Sequence, residues 1–218
     1  MITKSISNLN VLKILDESSL QTYYGCDQAW YTTEWQRISG CGPSVVSNII
    51  LYLTRPTLGA GQSLYSKEKC LSLMEEIWDY VTPIKGEGIP STKMLYENVL
   101  MYATSKGIQV EYEVCDLFKK KFRHPKLEDV VIFLEEALLK DTPIAFVNLC
   151  NGDEKNLDPW HWVTIVSLEY SEAGNNAFVT ILDEGIIKTI SLGLWYNTTT
   201  LGGGFVYFTA PVHRVEKQ

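Results

Sequence analysis

The sequence predicts an α+β fold, with helices in its first half and an antiparallel β-sheet in its second. Three observations carry this. Before residue 140, apolar residues recur at spacings of three and four along several segments. Beyond it, short runs rich in β-branched and aromatic residues follow one another. Those runs are separated by the Gly, Asn and Asp of tight turns.

The elements follow in chain order. Over Pro43–Leu53, Val45, Val46, Ile49, Ile50 and Leu53 make one apolar stripe, which predicts a helix. Lys67–Val81 repeats the pattern with Leu71, Met74, Ile77, Trp78 and Val81, and Ser66 suits its N-cap. A third helix is expected over Thr92–Lys106, after Pro90-Ser91 and before Gly107, a natural stop. Ile108–Val114 alternates apolar and polar and reads as a strand between helices, and Leu127–Lys140 reads as a fourth helix. Strands are then expected over 143–149, 161–170, 177–182, 186–192 and 205–210. Asp183-Glu184-Gly185 reads as a hairpin turn and Ser171–Asn176 as another. Two stretches, Thr54–Ser63 and Asn151–Pro159, have the punctuation of loops. Neither divides the chain, so residues 1–218 are read as a single domain.

Bulk properties narrow the function. The chain of 218 residues is 45% hydrophobic and 21% charged, the make-up of a globular domain able to bury a core. Its formal charge of −7 repels phosphate backbones and anionic membranes, so neither is an expected partner. No apolar run approaches the ~20 residues a membrane helix needs, and no signal peptide is visible at Met1–Asn8. The five cysteines (Cys26, Cys41, Cys70, Cys115, Cys150) are odd in number and widely spaced, with no C-x-x-C pair. That argues against a disulfide framework or a structural zinc and for a reducing, cytoplasmic setting.

One cysteine stands out. Ser39-Gly40-Cys41-Gly42-Pro43-Ser44 opens the first predicted helix. Unpaired N–H groups and the partial positive charge of a helix N-terminus favour a thiolate, which is the nucleophile. Pro43 fits a first helical turn, the flanking glycines leave room for a substrate carbonyl, and the Cys41 N–H can donate to an oxyanion. A tight turn around a small buried cysteine is the competing reading.

A thiolate nucleophile needs a base. There are three histidines. His124 lies in the basic run Lys119–Lys126 and His213 in the tail, whereas His161 starts the strand His161–Val166 directly after Asp158-Pro159-Trp160. Asp183 ends the next strand, and antiparallel pairing would return it to the end of the sheet where His161 sits, the place for a carboxylate that accepts from the imidazole. By itself, Asp183 reads as the turn aspartate that opens Asp183-Glu184-Gly185.

These residues resemble those of the C39-like peptidases in the papain-like superfamily. The matching stretches are Gln28-Ala29-Trp30, Gly40-Cys41-Gly42-Pro43-Ser44, His161–Val166 and Ile181–Gly185, in the family's order, between about Tyr23 and Phe208. The resemblance implies a papain-like cysteine proteinase fold, in which a helical half carrying Cys41 packs on a sheet carrying His161 and Asp183. It implies Cys41 as nucleophile, His161 as general base and acid, Asp183 as its orienter, and an upstream glutamine completing the oxyanion hole. Gln28 matches the family's glutamine–tryptophan segment and is favoured. Gln36, five positions before Cys41, is closer to the spacing of other papain-like enzymes and competes. The expected activity is a cysteine peptidase or amidohydrolase on a peptide or amide-containing substrate, with no metal or organic cofactor. A transglutaminase-like acyltransferase, or a non-catalytic binding module, is the alternative. Trp160, Trp162 and Trp195 are candidates to line the cleft, against the usual reading of tryptophans as core.

Overall fold

The computed structural model describes residues 1–55, 65–171 and 176–210. Most of the loop expected at Thr54–Ser63, the centre of the turn at Ser171–Asn176, and His213 lie outside the described residues.

The main sheet is antiparallel throughout. It contains β1 (Ile2–Ser5), β5 (Glu111–Leu117), β6 (Ile144–Asn148), β7 (His161–Tyr170), β8 (Ala177–Asp183), β9 (Ile186–Ser191) and β10 (Gly203–Thr209). The order is β5-β10-β6-β7-β8-β9. β7 is the hub. β8 runs along one edge, while β6 pairs with 161–165 and β1 with 167–170 end to end along the other. A register shift between Ile165 and Ser167 marks where the partners change. A smaller sheet, β3-β2-β4, joins β2 (Lys13–Asp16), β3 (Gln21–Tyr24) and β4 (Tyr65–Ser66).

Helices cover both faces of the main sheet. α2 (Cys41–Leu53) and α4 (Thr92–Ser105) pack on one face, where Val45, Val46, Leu95 and Val99 meet Ala145, Val147, Trp162, Val206 and Phe208. α5 (Leu127–Leu139) covers the other, with Val130, Leu134 and Ala137 against Ile144, Phe146, Val163 and Ile165. This is why β6 is buried at all five positions instead of alternating. α1 (Glu34–Ser39) leads into α2, α3 (Lys67–Trp78) packs beside α2, and α6 (Leu192–Thr198) sits against β8. Among the described residues no helix is long and apolar enough to cross a membrane.

The periodic helices and the second-half strands lie within a few residues of their expected bounds. Helices-then-strands needs one amendment: β1 to β4 all belong to the first third of the chain, and β1 is part of the main sheet. Trp195 is also a correction. It is fully buried, packs on Phe146 and Phe205, and donates its indole N–H to Asn148 Oδ1 (2.8 Å), so it is core and not cleft.

Candidate active site

Cys41 is the first residue of α2, with Gly40 as the N-cap. The first-turn N–H groups of a helix have no acceptor within it, so they converge on whatever lies in front of Cys41. The neighbouring glycines have a packing reason beyond substrate access. A Cβ on Gly40 would lie 2.7 Å from the Tyr31 ring, and one on Gly42 would lie 2.7 Å from Ile89 Cδ1.

His161 opens β7, opposite Asn148 of β6. Asn148 is fully buried and donates to the Asp158 carbonyl (2.5 Å), which fixes the loop that enters β7. Just before His161, Trp160 has a positive φ of 55° and is 60% exposed. Asp183 ends β8, and the two-residue turn Glu184-Gly185 has φ values of 51° and 73°, the left-handed pair a type I′ hairpin requires. Gly185 also packs on Tyr23 with no room for a side chain, and its carbonyl accepts from Tyr24 N–H (2.8 Å). The small sheet thus braces the hairpin that carries Asp183.

The structure brings His161 and Asp183 together, with 2.6 Å between Nε2 and Oδ1. His161 is 9% and Asp183 5% exposed. Burial works against the protonated imidazole, but the Asp183 carboxylate and the Cys41 sulfur outweigh it, and the His161 pKa is pushed up to about 10. Burial also works against the Asp183 carboxylate, yet His161 and Lys188 hold its pKa below the ordinary value. Lys188, which sequence reasoning missed, reaches Asp183 Oδ2 at 2.7 Å. A signal for it existed. In a hairpin that pairs Asp183 with Ile186, residue 188 lies two further along β9, on the same face as Asp183.

The two glutamines part company. Gln28 lines a small cavity with Cys41, Cys26, Ser44 and His161, and its Oε1 is buried without a hydrogen-bond partner. Gln36 is committed elsewhere. It forms a capping box with Thr33 at the start of α1, and its Nε2 donates to Glu75 Oε2 (2.5 Å). Asn48 supports the Gln28 side, accepting from Cys26 N–H (2.7 Å) and donating to Thr164 of β7 (3.0 Å).

On its other side Cys41 faces a larger cavity of about 520 Å³, walled by Ile89, Val147, Leu149, Trp160 and Trp162, with Glu87 as its charged residue. Trp162 donates its indole N–H to the Ile89 carbonyl (2.8 Å) and so fixes the Gly86–Pro90 wall. A second cavity of about 460 Å³ shares Pro90, Val147, Leu149 and Trp160 with the first and runs on to Lys93, Asp116, Phe118 and Lys119. Trp160 and Trp162 therefore line the cleft. His124 lies away from Cys41, contacting the Phe118 carbonyl and the Tyr196 ring.

No family model matches the sequence, and no curated protein matches it. Thirteen chains of known structure do match the fold. One is UfSP from C. elegans, a protein of the papain-like fold, with a TM-score of 0.51 at 10% identity. The superposition covers 96% of this chain and 34% of that one, so this chain spans about a third of the solved chain it matches. The architecture is thus α+β and papain-like.

Proposed function

We propose that this chain is a cysteine hydrolase that cleaves a peptide or amide bond through an acyl-enzyme on Cys41. The observation that carries this reading is the line of groups from Lys188 through Asp183 and His161 to Cys41 at the mouth of a cleft. With Nε2 bonded to Asp183, Nδ1 is the imidazole nitrogen left to exchange a proton with Cys41. The Cys41 sulfur attacks the carbonyl carbon and its electron pair forms the C–S bond. The oxygen becomes an oxyanion facing the Cys41 N–H and the Gln28 carboxamide. As the C–N bond breaks, His161 protonates the leaving amine. It then deprotonates a water whose oxygen bonds the acyl carbon as the C–S bond breaks, which releases the acid and returns the Cys41 thiolate. Gln28 is preferred to Gln36 because it lines the small cavity shared by Cys41 and His161, whereas the Gln36 amide N–H is spent on Glu75. The closer likeness to C39-like peptidases rests on the four sequence stretches above, and a reducing cytoplasmic setting on five free thiols.

The test is iodoacetamide labelling from pH 5 to 8, read by mass spectrometry at each cysteine, for wild type and His161→Ala. Site resolution matters because Cys150, hydrogen-bonded by Thr200, has a pKa lowered to about 7 and will also react. Cys41 is expected to react at pH 5 to 6 and to lose that reactivity in His161→Ala, while Cys150 does not change. A Cys41 no faster than Cys26 or Cys70, both buried, would remove the catalytic reading.

A further inference from the structure

We propose that the segment Phe118–Lys126 is a docking surface for an acidic stretch of the substrate, placed on the acyl side of the bond that is cleaved. This rests on the reading of Cys41 as nucleophile.

The first argument is charge. Lys119, Lys120, Lys121, Arg123 and Lys126 put five cations into eight residues of a chain whose net charge is −7. All five are exposed, and none forms an ion pair with a carboxylate among the described residues. The flanking acids do not neutralise them. Asp116 accepts from Thr92 Oγ1 (2.6 Å) and Asp129 from the Lys126 backbone N–H (3.1 Å). Structure uses two of the cations. Lys121 Nζ donates to the Asn197 carbonyl (2.5 Å) and Arg123 lies over the Phe118 ring at 4.8 Å. Lys119 and Lys120 have no such duty among the described residues.

The second argument is continuity. Phe118 and Lys119 form the far wall of the second cavity, which joins the first along Val147, Leu149 and Trp160, and the first begins at Cys41. Phe122 is 84% exposed and adds apolar surface beside the cations. The third argument is direction. The leaving amine takes its proton from His161, which lines the small cavity and not the groove, so the groove receives the acyl part. An extended peptide with acidic residues several positions before the cleaved bond satisfies all three. A nucleic acid or anionic membrane satisfies only the first, and the overall −7 charge repels both.

The test uses three peptidyl acyloxymethyl ketones that share the residues next to the electrophile and carry a run of Glu, Gln or Lys before them. Labelling rates are read at Cys41. The Glu probe is expected to react roughly five- to tenfold faster than the Gln probe, and the Lys probe more slowly, since a few exposed ion pairs supply about that much. The advantage should shrink at about 0.5 M NaCl. It should vanish in a Lys119→Glu, Lys120→Glu double variant whose iodoacetamide rate at Cys41 is unchanged. Equal rates for the three probes overturn the proposal. So does binding of an oligonucleotide or phosphatidylserine vesicles through these lysines with equal probe rates. If neither the probes nor iodoacetamide single out Cys41, the hydrolase reading fails and this one with it.

Discussion

Both oxygens of Asp183 are occupied, one by His161 and the other by Lys188. For a buried carboxylate each such bond matters, because an oxygen left bare costs about 1–3 kcal/mol. In Lys188→Met the Asp183 carboxylate keeps His161 but becomes easier to protonate. The rate of Cys41 labelling is expected to fall roughly three- to tenfold near pH 5 and to approach wild type near pH 8. A loss of equal size at every pH would mean that Lys188 acts on folding and not on Asp183. Trp160 is a different kind of residue. It combines a left-handed backbone, which costs about 1–3 kcal/mol, with a side chain that is 60% exposed and so offsets little of that cost. Trp160→Gly should therefore unfold no earlier than wild type in a thermal melt. It should also slow labelling by the peptidyl probes several-fold while leaving iodoacetamide unaffected. An earlier melt would mark Trp160 as structural.

At the level of elements, α2 brings the thiol, β7 the imidazole and the β8–β9 hairpin the carboxylate. Asn48 is the pin between the first two, bonding Cys26 N–H and Thr164 Oγ1 in the interior. Asn48→Ala leaves both without a partner and is expected to lower unfolding free energy by about 2–3 kcal/mol in urea melts. A change under about 0.5 kcal/mol would show the pin to be dispensable. How much of this could be read beforehand depends on length and register. The helices carrying Val45 to Leu53 or Val130 to Leu138 span enough turns for a stripe to show. The strand pattern and the Glu184-Gly185 turn were equally legible. β1 to β4, of two to four residues each, and α1 and α6, of six and seven, are too short for any period to register. The candidate site was legible as residue types, since Cys41 and His161 each sit at the start of a regular element. The choice between Gln28 and Gln36 was not legible, because Gln36's commitment to Glu75 crosses 39 positions of chain.

For the whole molecule, the buried His161–Asp183 pair ties stability to pH. His161 holds its proton more tightly when folded, with a pKa of about 10 against an ordinary 6.5, so its contribution is full below pH 6.5 and is lost as pH rises toward 10. Asp183 has the opposite sign. Its folded pKa lies below the ordinary 3.8, so its contribution is present above that value and fades on acidification. The two overlap between pH 3.8 and 6.5, where the pair supports the fold most. The difference in melting temperature between wild type and Asp183→Asn is expected to be larger near pH 5 than near pH 9. A difference that stays constant over that span would mean the pair does not titrate as the structure implies.

The edge-to-edge placement of β1 and β6 along β7 also has a consequence in time. Ile2 pairs with Tyr170, so the first strand leaves the ribosome long before its partner exists. At synthesis rates of about 5–20 residues per second the interval is roughly 10–30 seconds. The proposed nucleophile waits in the same way, since Cys41 is made well before His161 and the hairpin from Asp183 to Lys188. A nascent chain thus carries the Cys41 thiol without the imidazole proposed to act on it. On the proposed reading, reactivity arrives only once the strands carrying His161 and Asp183 have joined the sheet.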